Sequence, residues 1–510
     1  MICQLKEKKL TPESSPTLHH NPYYQQSNAC FTQPPPIKIH NEELFEKLIL
    51  KDFNAPDYSK HNHHSLIPPV TTLGIQLKRR YTLVNLLAIP YLFFTIAIVS
   101  SFINTQMIFI LRDENYFAVP QNQIGTVSSD IMFYMQLTSI SLSLFIGYVF
   151  DIFGRKIPIF TSLLMCGCLM ILIPQVAPVV YPSLIVVRIA IGVMTIAPNC
   201  HPLVSDYVSK SYRGRVTGYQ SYGQIMGEFF TYAVLFSIQL SSFDVSYTVV
   251  GLLIISLSTF SLLMIKEHKE PKNSNNVEAI STARRDCCDD CLEGKPGILP
   301  RILCLTNVLR QECRNNIVLP ISFFGVFIIK QSAILYNTFL ILKITSYVDT
   351  GILASDQQAR DIVQVIKIIQ VFASLILIVF AGHYSDKLKY TYTIPLAFIL
   401  KSCAITLLVF LDNPHSYLFK FSCVAIQSLS LIQNILIDGL FSKNLKKEIR
   451  GTLNGVYFTF GSLGMLAFAK IGGYLYDQVS QDMPFILSAG LNASYGLIIL
   501  LLYIFNVIKH

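Results

Sequence analysis

Long apolar runs recur along this chain and leave it few folds to choose from. Twelve stretches, near 82–111, 127–150, 157–177, 181–202, 216–240, 244–265, 317–345, 359–382, 392–411, 416–437, 452–475 and 484–507, are rich in Leu, Ile, Val, Phe and Ala. Runs of about 18 or more apolar residues read as membrane-crossing helices, because a segment in lipid must satisfy its own backbone hydrogen bonds. One very large soluble core is the rival reading, but such cores stop growing at roughly 250–300 residues, and this chain has 510. Only 14% of its residues are charged, against about 25% in ordinary soluble domains. The chain is expected to live in a bilayer, in the plasma membrane or an intracellular one.

The turns between runs set the orientation. A formal net charge of +9 does not signal a nucleic-acid partner, since the basic residues are scattered through short turns rather than gathered in a stripe. One set of alternate turns carries Arg155 and Lys156, then Lys210, Arg213 and Arg215, the basic central loop, Lys387 and Lys389, and Lys443, Lys446, Lys447 and Arg450. The other set holds no Lys or Arg at Pro178 to Pro182, the Asp244 turn, Asp412-Asn413-Pro414, or Asp477 to Asp482. Positive turns stay in the cytoplasm, so both termini are expected there.

Residues 1–80 are polar, with Pro34-Pro35-Pro36 and histidines at 19, 20, 61, 63 and 64. They read as a mostly disordered cytoplasmic tail without a cleavable signal peptide. Residues 81–265 and 317–510 would form two six-helix bundles, joined by a cytoplasmic loop over 266–316. Cys287, Cys288, Cys291, Cys304 and Cys313 fall in that loop, and none of the twelve cysteines falls in an expected outer turn, so disulfides are not expected. The Asp286-Cys-Cys-Asp-Asp-Cys291 segment has three readings: a zinc site, a palmitoylated patch, or a linker with free thiols.

The turn after the second run reads Gly147-Tyr-Val-Phe-Asp151-Ile-Phe-Gly154-Arg155-Lys156. Gly147 allows two backbones to approach closely, with Asp151 one helical turn later on the same face. Gly154 permits the reversal of direction, while Arg155 and Lys156 hold the turn on the positive side. A second copy stands at Gly382-His-Tyr-Ser-Asp386, an offset of 235 (151 to 386). Arg450-Gly451-x-x-x-Gly455 repeats Arg213-Gly214-x-x-x-Gly218 at an offset of 237 (213 to 450). Two landmarks with nearly one offset divide the chain into two related halves.

The first of these turns resembles the loop motif between helices 2 and 3 of the major facilitator superfamily of transporters. Arg188-x-x-x-Gly192, with Asp206 and Arg213-Gly214 after it, is similar to that family's helix 4 segment, most of all in its sugar and organic-ion branches. The resemblance implies an all-α membrane protein of 12 transmembrane helices in two six-helix bundles. It also implies that Arg155 pairs with Asp206 and that Asp151 faces the eleventh helix near Gly451. Gly147, Asp151, Gly154, Arg155, Lys156, Asp206, Arg213, Gly214, Gly382, Asp386, Arg450 and Gly451 would then make a cytoplasmic latch. Two features depart from common subfamilies: the fifth run lacks a Gly-Pro pair, and Lys266-Glu-His-Lys-Glu270-Pro271 replaces the Pro-Glu-Ser-Pro of sugar porters.

Ionisable groups inside spans are expensive and face water-filled paths or partners. Arg188 and Glu228 stand in the first half, with Lys330, Lys367, Lys401 and Lys470 in the second. Snorkelling or a carboxylate partner best accounts for Lys470. Asp361, Gln364, Lys367 and Gln370 recur at three-residue spacing and mark one polar face of the eighth run. Gln331, Asn337 and Gln433 add donors and acceptors, so the candidate substrate and coupling set is Arg188, Glu228, Lys330, Gln331, Asn337, Lys367, Gln370, Lys401 and Gln433. The lysines would suit an organic anion, and Glu228 would serve either as a protonatable coupling group or as a partner for Arg188.

The expected function is secondary active transport of a small polar or charged organic solute by alternating access. A solute sensor on the same fold is the alternative. No catalytic triad or metal-ligand set converges within the spans, so neither an enzyme nor a cofactor or metal is expected.

Overall fold

The computed structural model describes residues 71–72, 75–78, 81–143, 145–199, 202–209, 212–238, 242–267, 309–384, 390–444 and 450–505. The tail histidines, the cysteines of the central loop before Cys313, and Asp386 lie outside them. So do the side chains of Asp151, Arg213 and Arg450.

A short antiparallel pair, β1 (Thr71–Thr72) and β2 (Ile75–Gln76), precedes the helices and is followed by a bridge from Leu77 to Val208. The first half comprises α1 (Leu83–Arg112), α2 (Ile124–Ser143), α3 (Ile146–Phe153), α4 (Lys156–Gln175), α5 (Ile185–Met194), α6 (Ile196–Asn199), α7 (Leu203–Tyr207), α8 (Arg213–Phe230) and α9 (Phe243–Met264). The second comprises α10 (Val318–Ile334), α11 (Leu340–Asp349), α12 (Asp356–Tyr384), α13 (Tyr390–Val409), α14 (Tyr417–Lys443), α15 (Arg450–Gln478) and α16 (Met483–Ile504).

Among the described residues, ten helices are long and apolar enough to cross a membrane. Two of the expected runs are not among them. The second breaks near Phe145 into α2 and α3, and α8 carries a polar sequence, Arg213-Gly-Arg-Val-Thr-Gly-Tyr-Gln-Ser-Tyr-Gly-Gln. Polarity at such positions is tolerable only where neighbouring helices or water cover it.

Among the described residues, five-residue π-helical stretches interrupt the helices at Val180–Leu184, Thr231–Leu235 and Leu335–Phe339. Widened turns of this kind re-aim side chains and concentrate at functional sites. The latter two do so here.

The halves are built alike. α1 lies against α8, and α10 lies against α15. Each contact depends on a glycine pressed onto a facing carbonyl: Gly227 on Phe94 in the first half, Gly464 on Phe327 in the second. A Cβ at either position would collide with backbone, so only glycine permits the approach.

The apolar core is continuous across the two halves at one end only. At the end bearing the Arg155 turn, the first half packs its own cluster, including Leu86, Ile89, Phe150, Leu163, Tyr207 and Val216. The second half packs another, including Phe323, Phe398, Ile437, Phe441, Tyr457 and Tyr495. At the opposite end one cluster runs through both, joining Phe102, Ile110 and Met170 to Phe339, Leu340, Phe419 and Phe485. The halves are closed on each other at that end.

Candidate functional site

Polar bonds across the divide reinforce the shared core. Arg112 at the end of α1 holds Asp349 through two bonds of 2.6 and 2.9 Å and lies 3.5 Å from Asp356. Asp477 of α15 accepts the backbone N–H groups of Gly125 and Thr126, at 2.9 and 2.6 Å, in the first turn of α2. A carboxylate there satisfies helix donors that have no partner within the helix. Lys470 reaches Asp130 at 2.5 Å, and Tyr181 donates to the other oxygen of the same carboxylate at 3.1 Å. Arg360 of α12 lies over the rings of Phe109 and Phe243 in the first half, at 4.9 and 4.6 Å.

Just inside this closure lies a cross-divide polar centre. The two π-helical stretches supply its walls. Thr231–Leu235 presents Tyr232 from the first half, and Leu335–Phe339 presents Tyr336 and Asn337 from the second. Lys367, 5% exposed, donates to Asn337 Oδ1 at 3.0 Å and stands 4.2 Å from the Tyr336 ring and 5.9 Å from the Tyr232 ring. Cation–π contacts gain strength when desolvated, as here. Glu228 of α8 acts on Lys367 electrostatically from the opposite half and accepts a 3.1 Å bond from Gln224. Gln364 spans the same divide, donating to the Tyr232 carbonyl at 2.9 Å and Ser237 at 2.8 Å. Gln370 reaches the Cys423 carbonyl at 3.5 Å.

Other expected residues lie elsewhere. Lys401, fully buried, donates to Ser332 at 2.5 Å and Gln433 at 2.9 Å, and Gln433 in turn bonds Asn492. That network stays within the second half. Lys330 packs against Gly461 and lies within electrostatic reach of Asp438, whose carboxylate accepts a 2.6 Å bond from Tyr457. Gln331 is buried, with its amide nitrogen lacking a partner. Arg188 donates to Asn104 of α1, so the anticipated alternative of a Glu228 partner is replaced by an amide.

At the other end, Arg155 Nε donates to Asp206 at 3.2 Å, and the Arg155 and Lys156 backbone N–H groups donate to the Glu267 carboxylate at 2.8 and 3.1 Å. Gly154 turns the chain with φ of 78°. These bonds lie inside the first half. Gly147, Gly214, Gly382 and Gly451 sit on helix backbone.

Several residues at these sites were not among those expected, Asp130, Asp438, Tyr232 and Glu267 among them. Asp130 lies inside an expected span and was open to detection as an intramembrane charge. Asp438 falls one residue past the expected end of its run, though α14 continues to Lys443.

The Major Facilitator Superfamily profile matches residues 91–469 and 368–508. Among solved structures, that of a D-xylose-proton symporter superposes with a TM-score of 0.57 at 13% identity, covering 82% of this chain and 96% of that one. At that identity the likeness speaks for the fold. Among curated proteins, none matches the chain significantly. Family, fold and the ten apolar helices agree on a multi-pass membrane transporter rather than an enzyme, and the chain belongs to the major facilitator superfamily.

Proposed function

We propose that this protein is a secondary active transporter of a small polar organic solute, working by alternating access across twelve helices, with both termini cytoplasmic. The polar centre shared by the two halves carries the reading: Lys367 and Gln364 of the second half reach Tyr232 and Ser237 of the first, with the Glu228 carboxylate within electrostatic reach of Lys367. Groups placed there gain or lose their partner whenever the halves rock, which is what couples a bound solute to a change of state. The basic turns then put the split end in the cytoplasm, and the conformation is inward-facing. Glu228 is the carboxylate positioned to take up a coupling proton, and the Gly147–Lys156 turn with its second-half copy forms the latch of the outward-facing state.

Charge balance refines the solute. The lysines alone suggested an organic anion, but Lys330 lies within electrostatic reach of Asp438, and Lys367 within that of Glu228. A neutral or zwitterionic solute rich in hydrogen-bonding groups fits this lining better than a monoanion.

Thermal stabilisation of the purified protein by sugars, nucleosides, amino acids, organic cations and carboxylates tests this directly. A ligand at a hundredfold excess over its dissociation constant adds about 2.7 kcal/mol. Hits among neutral or zwitterionic solutes, transported in proteoliposomes and no longer accumulated against a gradient in Glu228→Gln, are expected. Hits confined to carboxylates that vanish in Lys330→Ala would restore the organic-anion reading. A panel without hits and without flux would favour a sensor.

A further inference from the structure

Arg188 is a buried cation that cannot shed its charge, as a buried lysine can. It is 4% exposed, no carboxylate among the described residues pairs with it, and the ionisable groups acting on it electrostatically are the Tyr247 hydroxyl and the Cys166 thiol. One guanidinium nitrogen donates to Asn104 and approaches the Met132 sulfur at 4.0 Å, while Nε has no partner. Asp130, on the same helix as Met132, is already taken by Lys470 and Tyr181. Beside the guanidinium is a cavity of about 10 Å³, the room that one water-sized particle needs. Ser128 lines it with a buried hydroxyl that also lacks a partner, and Thr338 lines it from the second half.

A buried charge without a counter-charge is among the costliest arrangements in a protein. We propose that Arg188 and Ser128, with Asn104 and Thr338, hold a small monoanion such as chloride in this cavity, bridging the two halves. The volume excludes an organic solute as a whole but admits a halide after small side-chain adjustments. A neutral water would fill the space and leave the charge uncompensated. Thr338 belongs to the same π-helical stretch as Tyr336 and Asn337, so separation of the halves would dismantle the site. The anion therefore favours the conformation closed at this end, whichever solute is transported.

Melting of the purified full-length protein tests the proposal without reference to transport. Chloride is titrated against methanesulfonate at constant ionic strength. A saturable rise of a few degrees in the midpoint is expected, lost in Arg188→Gln and retained in Lys420→Gln, whose side chain lies over Tyr417 away from the cavity. Ser128→Ala keeps the guanidinium and should raise the half-saturating chloride concentration several-fold, which keeps the test decisive should Arg188→Gln fail to fold. If chloride is silent but acetate acts in the same Arg188-dependent way, the site takes a carboxylate, and the solute's own acid group becomes its source. No response to any small monoanion, or a response intact in both variants, overturns the proposal.

Discussion

The two ends of the molecule are built from the same kinds of residues yet are joined in opposite ways. At the closed end one apolar cluster passes through both halves, and Arg112, Lys470 and Asp477 each bind a partner in the other half. At the Arg155 end each half keeps its own cluster, and Arg155, Lys156 and Glu267 bond within the first half. Glycines tell the same story: Gly473 presses against Ser129 across the divide, whereas Gly218 and Gly455, at equivalent places in the two halves, meet nothing within 4 Å. A transporter that rocks must hold one end by contacts strong enough to define a state and weak enough to exchange. A mixture of buried apolar surface and a few partly exposed ion pairs meets both demands.

Breaking the closed end should have graded effects, readable in a Thr345→Cys background. Thr345 is fully buried there, so a thiol in its place meets a charged reagent only when that end opens. The largest effect belongs to Gly473→Leu. A Cβ at Gly473 already meets Ser129 at 2.5 Å and the Gly125 carbonyl at 3.0 Å, so the larger side chain props the halves apart. Overpacking by about 3 kcal/mol moves the balance of states by about 100-fold, and flux should fall accordingly. Preserved flux with an unreactive reporter thiol would break the comparison.

Arg112→Ala comes next. Its bidentate bond to Asp349 is partly buried, with side chains 12% and 24% exposed, and its loss should raise reporter reactivity roughly fivefold, in keeping with about 1 kcal/mol for such a pair. High salt should reproduce part of that effect in the protein that retains Arg112, because screening reaches partly exposed pairs.

A smaller and more pointed test contrasts two carboxylates. Asp477 and Glu267 both accept backbone N–H groups at a helix start, but only the first does so across the divide. Such placements contribute about 0.3–1 kcal/mol. Asp477→Asn should therefore raise reporter reactivity a few-fold, while Glu267→Gln lowers the melting midpoint and leaves reactivity unchanged.

The smallest effect concerns Cys313 at the split end. Burial, and then the Glu312 charge, push its thiol above the ordinary range. A raised value means less thiolate at neutral pH, so alkylation should be slow at pH 7, climb steeply toward pH 9, and quicken at pH 8 in Glu312→Gln. A rate already flat above pH 7 would contradict that environment.

Much of this architecture was legible in the chain. Apolar runs appear in sequence because each helix must meet lipid by itself, residue by residue. The repeated Gly-x-x-x-Asp and Arg-Gly-x-x-x-Gly segments show as a constant offset because the two halves use the same local turns. Intramembrane cations were visible for the same reason: a lysine such as Lys367 is conspicuous against its neighbours. Their partners were not. Lys401 looked like a cleft residue until Ser332, Gln433 and Asn492 closed around it from three other helices.

Local chemistry, then, was set by sequence alone: membrane residence, the repeat, the turn motif and the roster of buried charges. Tertiary structure decided which charges answer each other, because those partners lie on different helices and often in different halves. Arg112 meets Asp349, Lys470 meets Asp130, and Gln364 meets Ser237 only in a particular docking of the halves. Coulomb and packing energies depend on distance in space, which helical periodicity carries for a few turns and then loses. Arg188 was legible as a buried cation, but its lack of a carboxylate became visible only when α1, α2, α5 and the Leu335–Phe339 stretch converged around it.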